Sequence, residues 1–258
     1  MFDDRKPIIF NCPPELNEIE IYPIHDIHYG NNMFNHEKWN KLKSEILEQP
    51  NRYCVIAGDM MENAVPGSKS DVFYQTDPPA VQQEWVCEQL SDLKERIIGI
   101  IPGNHETNRS TKLCGIFPLY DCAVIAGLKS AYRQNFAVID IGVGTGGHEK
   151  GRQQRYVGYV CHKAKDNKNY HSSDYIEGID FFIFGHDHDS KDHARSRLYY
   201  DPRNHSISVR NVEVINNGSF LRYGDYAATS AYRPPSGKFY KLVLNGKHKE
   251  IRTVGFFP

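Results

Sequence analysis

Apolar residues along this chain come in short runs, and most of the runs end at a polar turn. Glu18 to Ile24 alternates Ile19 and Ile21 with acidic residues before Pro23-Ile24, a period of two that predicts a strand. Tyr53 to Ala57 and Ile97 to Ile101 are short continuous apolar runs, the pattern of strands buried on both faces. Two segments of helical spacing separate them. Asn35 can cap a helix reaching Gln49, with Trp39, Leu42, Ile46 and Leu47 turned inward. Val81 to Arg96 places Val81, Trp85, Val86, Leu90 and Leu93 at helical intervals. Strand, helix, strand, helix, strand in that order predicts a parallel sheet.

The later chain is richer in strands. Phe136 to Ile141 and Arg155 to Cys161 flank a glycine-rich loop, and Asp180 to Phe184 is another buried run. Leu198 to Tyr200, Ser206 to Ile215 and Phe239 to Leu244 read as antiparallel strands, and Tyr170 to Glu177 as a short helix. There is no internal repeat and no low-complexity linker. The expected architecture is one domain over residues 1–258, a four-layer α/β/β/α sandwich with two mixed central sheets flanked by helices. Met60 to Pro79 is a long polar stretch interrupted by Pro66-Gly67 and Pro78-Pro79. It starts beside Asp59, so it is expected to face a substrate.

Composition narrows the class. With 40% apolar residues in 258, the chain can bury a core, and no apolar run approaches the roughly 18 residues of a membrane span. The charged N-terminus has no signal-peptide core, so a cytoplasmic protein without a membrane partner is expected. None of the six cysteines forms a C-x-x-C pair, which argues against a thiolate zinc site, and a disulfide framework is not expected in a chain of this size and context. Net charge is −1, but unevenly spread: residues 1–129 hold 12 Lys/Arg and 19 Asp/Glu, and residues 130–258 hold 19 and 13. A basic second half suits an anionic substrate.

The polar turns carry the chemistry. In order they are Asp26-Ile27-His28, Gly58-Asp59, Gly103-Asn104-His105-Glu106, an isolated His162, and Gly185-His186-Asp187-His188. Each follows an apolar strand, and in open α/β folds ligands gather beyond the carboxyl ends of strands. Carboxylates, imidazoles and an amide oxygen suit manganese, iron, zinc, nickel or magnesium. A carboxylate can bridge two divalent ions, and such a pair acidifies a shared water and neutralises charge on a phosphate.

Five such motifs in this order resemble the calcineurin-like metallophosphoesterases, and Asn217-Gly218-Ser219 resembles the turn that often follows the last motif there. The resemblance implies two divalent ions, manganese first among them, at the C-terminal strand edge. It implies that Asp26, His28 and His188 hold the first ion, that Asp59 bridges, and that Asn104, His162 and His186 hold the second. By the same likeness His105 is not a ligand but stands near the substrate, stabilising charge or protonating the leaving oxygen. Glu62 occupies the position of an acid that orients this histidine, with glutamate replacing aspartate.

The implied activity is phosphoester hydrolysis. A phosphodiesterase or nuclease comes first, since the motif order resembles the DNA-repair nuclease branch and the basic half suits nucleic acid. A phosphomonoesterase is the alternative. Asn63-Ala64 stands where serine/threonine phosphatases place Arg-Gly, which weighs against that branch. A catalytically silent scaffold with protein partners is a third reading, disfavoured because every ligand and His105 are present. A homo-oligomer is compatible with any of these.

Other residues carry weaker signals. Arg109 could clamp a phosphate oxygen, with plain surface placement as the alternative. Glu106 could orient its neighbours or form a simple salt bridge. Gly142 to Gly147 matches G-x-G-x-x-G but leads into a strand rather than a helix, so it reads as a hairpin loop. His25 is expected to point away from Asp26, as neighbours in an extended segment do.

Overall fold

In the computed structural model residues 2–68, 70–148, 151–163, 176–224, 234 and 237–258 are described. Strand β1 (Ile8–Asn11) lies at one edge of a six-stranded sheet. The chain then builds the heart of a second, five-stranded sheet from β2 (Glu18–Ile24), β3 (Arg52–Ala57) and β4 (Ile97–Ile101), all parallel. Helices α1 (His36–Glu48) and α2 (Pro79–Asp92) make the two crossovers, as the alternating pattern predicts. After β4 the backbone turns through α3 (Asn104–Glu106), a π turn over Thr107–Thr111, and α4 (Lys112–Cys114). Helix α5 (Pro118–Ile125) then packs on α2, where Cys87 and Cys122 form a disulfide. Cys54 is free and fully buried.

The six-stranded sheet is completed by β5 (Ala137–Val143), β6 (Gln154–Cys161), β7 (Phe181–Phe184), β8 (Lys191–Asp201) and β9 (Ser206–Asn216), in the order β1-β5-β6-β7-β9-β8. β5 and β6 are antiparallel neighbours, so the glycine-rich stretch is a hairpin loop as read. β6, β7 and β9 run parallel. Finally β10 (Phe239–Asn245) and β11 (Ile251–Phe256) return antiparallel beside β2. Both sheets are mixed, and the chain forms the expected sandwich of two mixed sheets flanked by helices.

Strand alternation sorts the core. Ile19, Ile21 and Val55 meet Ile139, Ile141 and Ile183 between the sheets. The intervening Tyr22, Ile24, Cys54 and Ile56 pack on Trp39, Leu42, Ile46, Val86 and Leu90 of α1 and α2. Phe182, Phe184, Val212 and Val214 line the outer face of the six-stranded sheet. Each fully buried aliphatic side chain contributes about 1.5–3 kcal/mol. The short helix expected over 170–177 lies outside the described residues for all but its last two positions.

The helix faces differ from expectation at two positions. Leu47 and Val81 are 41% and 39% exposed. On α2 the inward stripe is Gln82, Val86, Gln89 and Leu90, about one residue out of phase with Val81. The two glutamines are buried because they have partners. Gln82 Oε1 accepts the Asn63 N–H at 2.7 Å, and its Nε2 donates to the Asp77 carbonyl at 2.7 Å. Gln89 Oε1 accepts Trp39 Nε1–H at 3.0 Å. Buried polar groups so satisfied substitute for apolar ones.

Candidate metal centre

The motif residues all lie just past the C-terminal ends of β2, β3, β4, β6 and β7, on one rim of the sandwich. The strands do not end by fraying there. Asp26, His28, Asp59, His186 and His188 each take a left-handed backbone conformation, with φ of 51°, 52°, 51°, 81° and 55°. Such conformations cost about 1–3 kcal/mol each and persist only where the surroundings impose them. The turn after β3 also needs Gly58, at φ 91°, and Gly103, whose added Cβ would overlap the Asp59 carboxylate.

The backbone turns bring the side chains together. Donor atoms of Asp26, His28 and His188 lie within 4.8 Å of one another, and so do those of Asp59, His162 and His186. These are the ligand sets implied by the sequence, apart from Asn104. Asn104 Oδ1 stands 3.2 Å from His162 Nε2, which brings it to the second set. Asp59 Oδ2 is 3.1 Å from His162 Nε2. Asp59 also groups with His28 and His105, so it sits between the two sets. The Nε2 atoms of His28 and His188 face each other at 3.0 Å.

These residues fit a pair of divalent ions. Asp26 Oδ1 is buried and has no hydrogen-bond partner among the described residues, although it lies 3.3 Å from His188 Nε2. An orphaned carboxylate oxygen facing two imidazole nitrogens is what a cation would complete.

Charge at the rim is arranged for cations. Burial pushes the Asp26 carboxyl up, but the charge of His188 beside it, the hydrogen bond from His25 and the nearby His28 together hold it well below the usual carboxylate range. Asp59 is lowered in the same way: burial opposes, and His162, His105 and His28 prevail. Burial likewise lowers the His28 and His162 imidazoles. The surrounding carboxylates outweigh it, raising His28 to about 10 and His162 to about 9. Asp26, Asp59 and Glu62 thus create a field that draws positive charge into a buried rim.

His105 is set differently. Its backbone N–H donates to Asp59 Oδ1 at 2.8 Å. Its Nδ1 lies 2.8 Å from the Glu62 carbonyl, and Arg109 Nη2 lies 2.9 Å from its Nε2. The carbonyl can only accept, so the proton belongs on Nδ1, and Nε2 accepts from the guanidinium. Burial lowers this imidazole to about 4, with His28 and Arg109 adding to the effect and Asp59 and Glu62 opposing it. The main chain of Glu62 therefore holds His105. The Glu62 carboxylate turns instead toward His28 Nδ1 at 3.4 Å and accepts from Asn31 Nδ2 at 3.1 Å. Arg109 is not a surface residue: its guanidinium bonds the Glu62 carbonyl and lies 3.4 Å from Glu62 Oε1.

Two residues do more than the sequence suggested. Glu106 forms no salt bridge among the described residues. Its Oε2 accepts the N–H groups of Asp59 at 3.1 Å and Gly103 at 2.8 Å, and its Oε1 accepts that of Met61 at 3.1 Å. One buried carboxylate thus ties two motif turns together. Glu106→Ala should orphan three buried donors and lower stability by about 2–4 kcal/mol, a fall in Tm of roughly 5–12 °C. A thermal melt within 2 °C of wild type, by differential scanning fluorimetry, would refute this (a shift that small is about 1 kcal/mol or less).

The second is His25, which is buried and bonds Asp26 rather than pointing away from it. The alternation rule assumes extended backbone on both sides, and Asp26 at φ 51° breaks it.

No family model and no curated protein matches the sequence. Among solved structures, Vps29 from Entamoeba histolytica, described as complexed with zinc, aligns at a TM-score of 0.42 and 10% identity, over 93% of this chain and 99% of its own. A metallophosphoesterase from Sphaerobacter thermophilus aligns at 0.40 and 11%, over 93% and 90%.

Proposed function

We propose that this chain is a metal-dependent phosphoester hydrolase, acting on phosphodiesters or nucleic acid. The observation that carries the reading is the meeting of two donor sets, one on each side of Asp59, around a buried Asp26 oxygen that has no hydrogen-bond partner among the described residues. Asp26, His28 and His188 would hold one divalent ion, and Asn104, His162 and His186 the other, with Asp59 shared. When bound, such a pair supplies an acidified water and neutralises charge on the phosphate. Manganese, iron and zinc are all compatible with these donors.

The remaining residues position the substrate. Arg109, braced on Glu62 and His105, would hold a phosphate oxygen, since a guanidinium suits that geometry. With a proton taken up on Nε2, His105 would stabilise charge on the transferring group or pass that proton to the leaving oxygen. Glu62 orients His105 through its carbonyl oxygen. A diester or nucleic-acid substrate is favoured by the motif order and by the basic second half. Within that half, Arg197 and Arg210 pair across the β8–β9 hairpin, which starts three residues after His188.

Purified protein with Mn2+ should cleave bis(p-nitrophenyl) phosphate or single-stranded DNA, and EDTA should abolish the reaction. Turnover of p-nitrophenyl phosphate alone would replace the diester reading with a monoesterase. Bound metal without turnover of any of the three would leave a binding scaffold.

A further inference from the structure

His25 stands behind Asp26, on the side away from the donor sets. It is 1% exposed. Its Nε2 accepts the backbone N–H of Asn217 at 3.1 Å, so the ring proton belongs on Nδ1. Nδ1 lies 2.6 Å from Asp26 Oδ2 and donates to it. The same oxygen accepts the His186 N–H at 2.8 Å. Both lone-pair directions of Oδ2 are therefore filled by protein donors, while Oδ1 has no hydrogen-bond partner among the described residues.

The acceptor end of this chain is itself anchored. Asn217 follows β9, and its amide donates to the Pro23 and Tyr240 carbonyls at 3.1 Å each and accepts the Tyr240 N–H at 2.7 Å. The imidazole thus relays a fixed backbone position, set by both sheets, onto one oxygen of one carboxylate. Space for it comes from Gly185: a Cβ there would lie 3.0 Å from His25 Cγ and Nδ1 and 3.2 Å from Asp26 Oδ2.

From this geometry we infer that His25 is a positioning residue that makes Asp26 a one-oxygen ligand, occupying Oδ2 so that only Oδ1 faces the cation shared with His28 and His188. The inference rests on the metal reading above. Hydrogen bonds behind a ligand fix its orientation and typically change metal affinity about 10- to 100-fold. They act on the ion whose ligand they hold, so the Asp59, His162 and His186 set should be insensitive to His25.

The test is a calorimetric titration of EDTA-stripped, dialysed protein with Mn2+. The variants are His25→Ala, His25→Asn, His25→Gln and Gly185→Ala, each checked for folding by a metal-free thermal melt. Asparagine carries an N–H donor near the position of Nδ1; glutamine carries its donor further out, near Nε2. In wild type two binding events are expected. His25→Ala, His25→Gln and Gly185→Ala should weaken one of them about 10- to 100-fold and spare the other, while His25→Asn should stay close to wild type. A purely structural role for the ring would not separate asparagine from glutamine. Equal affinities in the folded variants would overturn the inference, and so would equal asparagine and glutamine values if the alanine variant fails to fold. Wild-type protein that takes up no Mn2+ would instead sink the metal reading on which it rests.

Discussion

Asp59→Asn is expected to lower kcat/KM on whichever phosphoester is turned over by about a thousandfold or more, which is about 4 kcal/mol of transition-state stabilisation. Asparagine keeps an oxygen that can accept the His105 N–H, now received by Asp59 Oδ1 at 2.8 Å. The turn should therefore survive. What disappears is the negative charge and the second oxygen, the one 3.1 Å from His162 Nε2. Asp59 is the residue common to donor groups on both sides of the rim, so neither cation would keep its full set. Metal analysis of the purified variant should show fewer than two ions per chain. Two retained ions and near-normal turnover would rule out a shared role for this carboxylate.

His105→Ala should behave differently, losing about 10²- to 10⁴-fold in kcat while keeping its metal. The contrast matters because His105 donor atoms also lie within 4.8 Å of those of His28 and Asp59. Distance alone would admit it as a ligand. Its hydrogen bonds argue otherwise: Nδ1 is engaged by the Glu62 carbonyl and Nε2 by the Arg109 guanidinium, a cation that a metal ion would have to displace. Metal analysis decides between the two, since a metal-depleted alanine variant would make His105 a ligand after all.

The parts of the fold that could be read from sequence were those with one dominant cause. β2, β3 and β4 are bounded almost as expected because their apolar runs stop where the chain must turn. The candidate ligands were legible because few other residue types can serve a cation. What could not be read depended on partners distant in sequence. Gln82 and Gln89 are polar in any hydropathy pattern, and only the Asn63 N–H and the Trp39 indole make their burial favourable. His25 was misplaced by a rule of strand geometry that fails at one left-handed residue. From sequence Glu106 could equally orient its neighbours or form a simple salt bridge, and three backbone donors from two separate turns converge on it. β1, β11 and α5 went unread. β1 and β11 are edge strands, and α5 packs on α2, so each gains its structure from neighbours more than from its own period.

The rim joins two independent slabs of the molecule. Asp26, Asp59 and Asn104 leave the five-stranded sheet, whereas His162, His186 and His188 leave the six-stranded one. Any ion gripped from both directions is a rivet through the sandwich, and unfolding must eject it. At a free concentration a hundred times its Kd, one such ion would add about 2.7 kcal/mol to the folding free energy. The lifetime of the folded chain would then rise and fall with the local supply of that element.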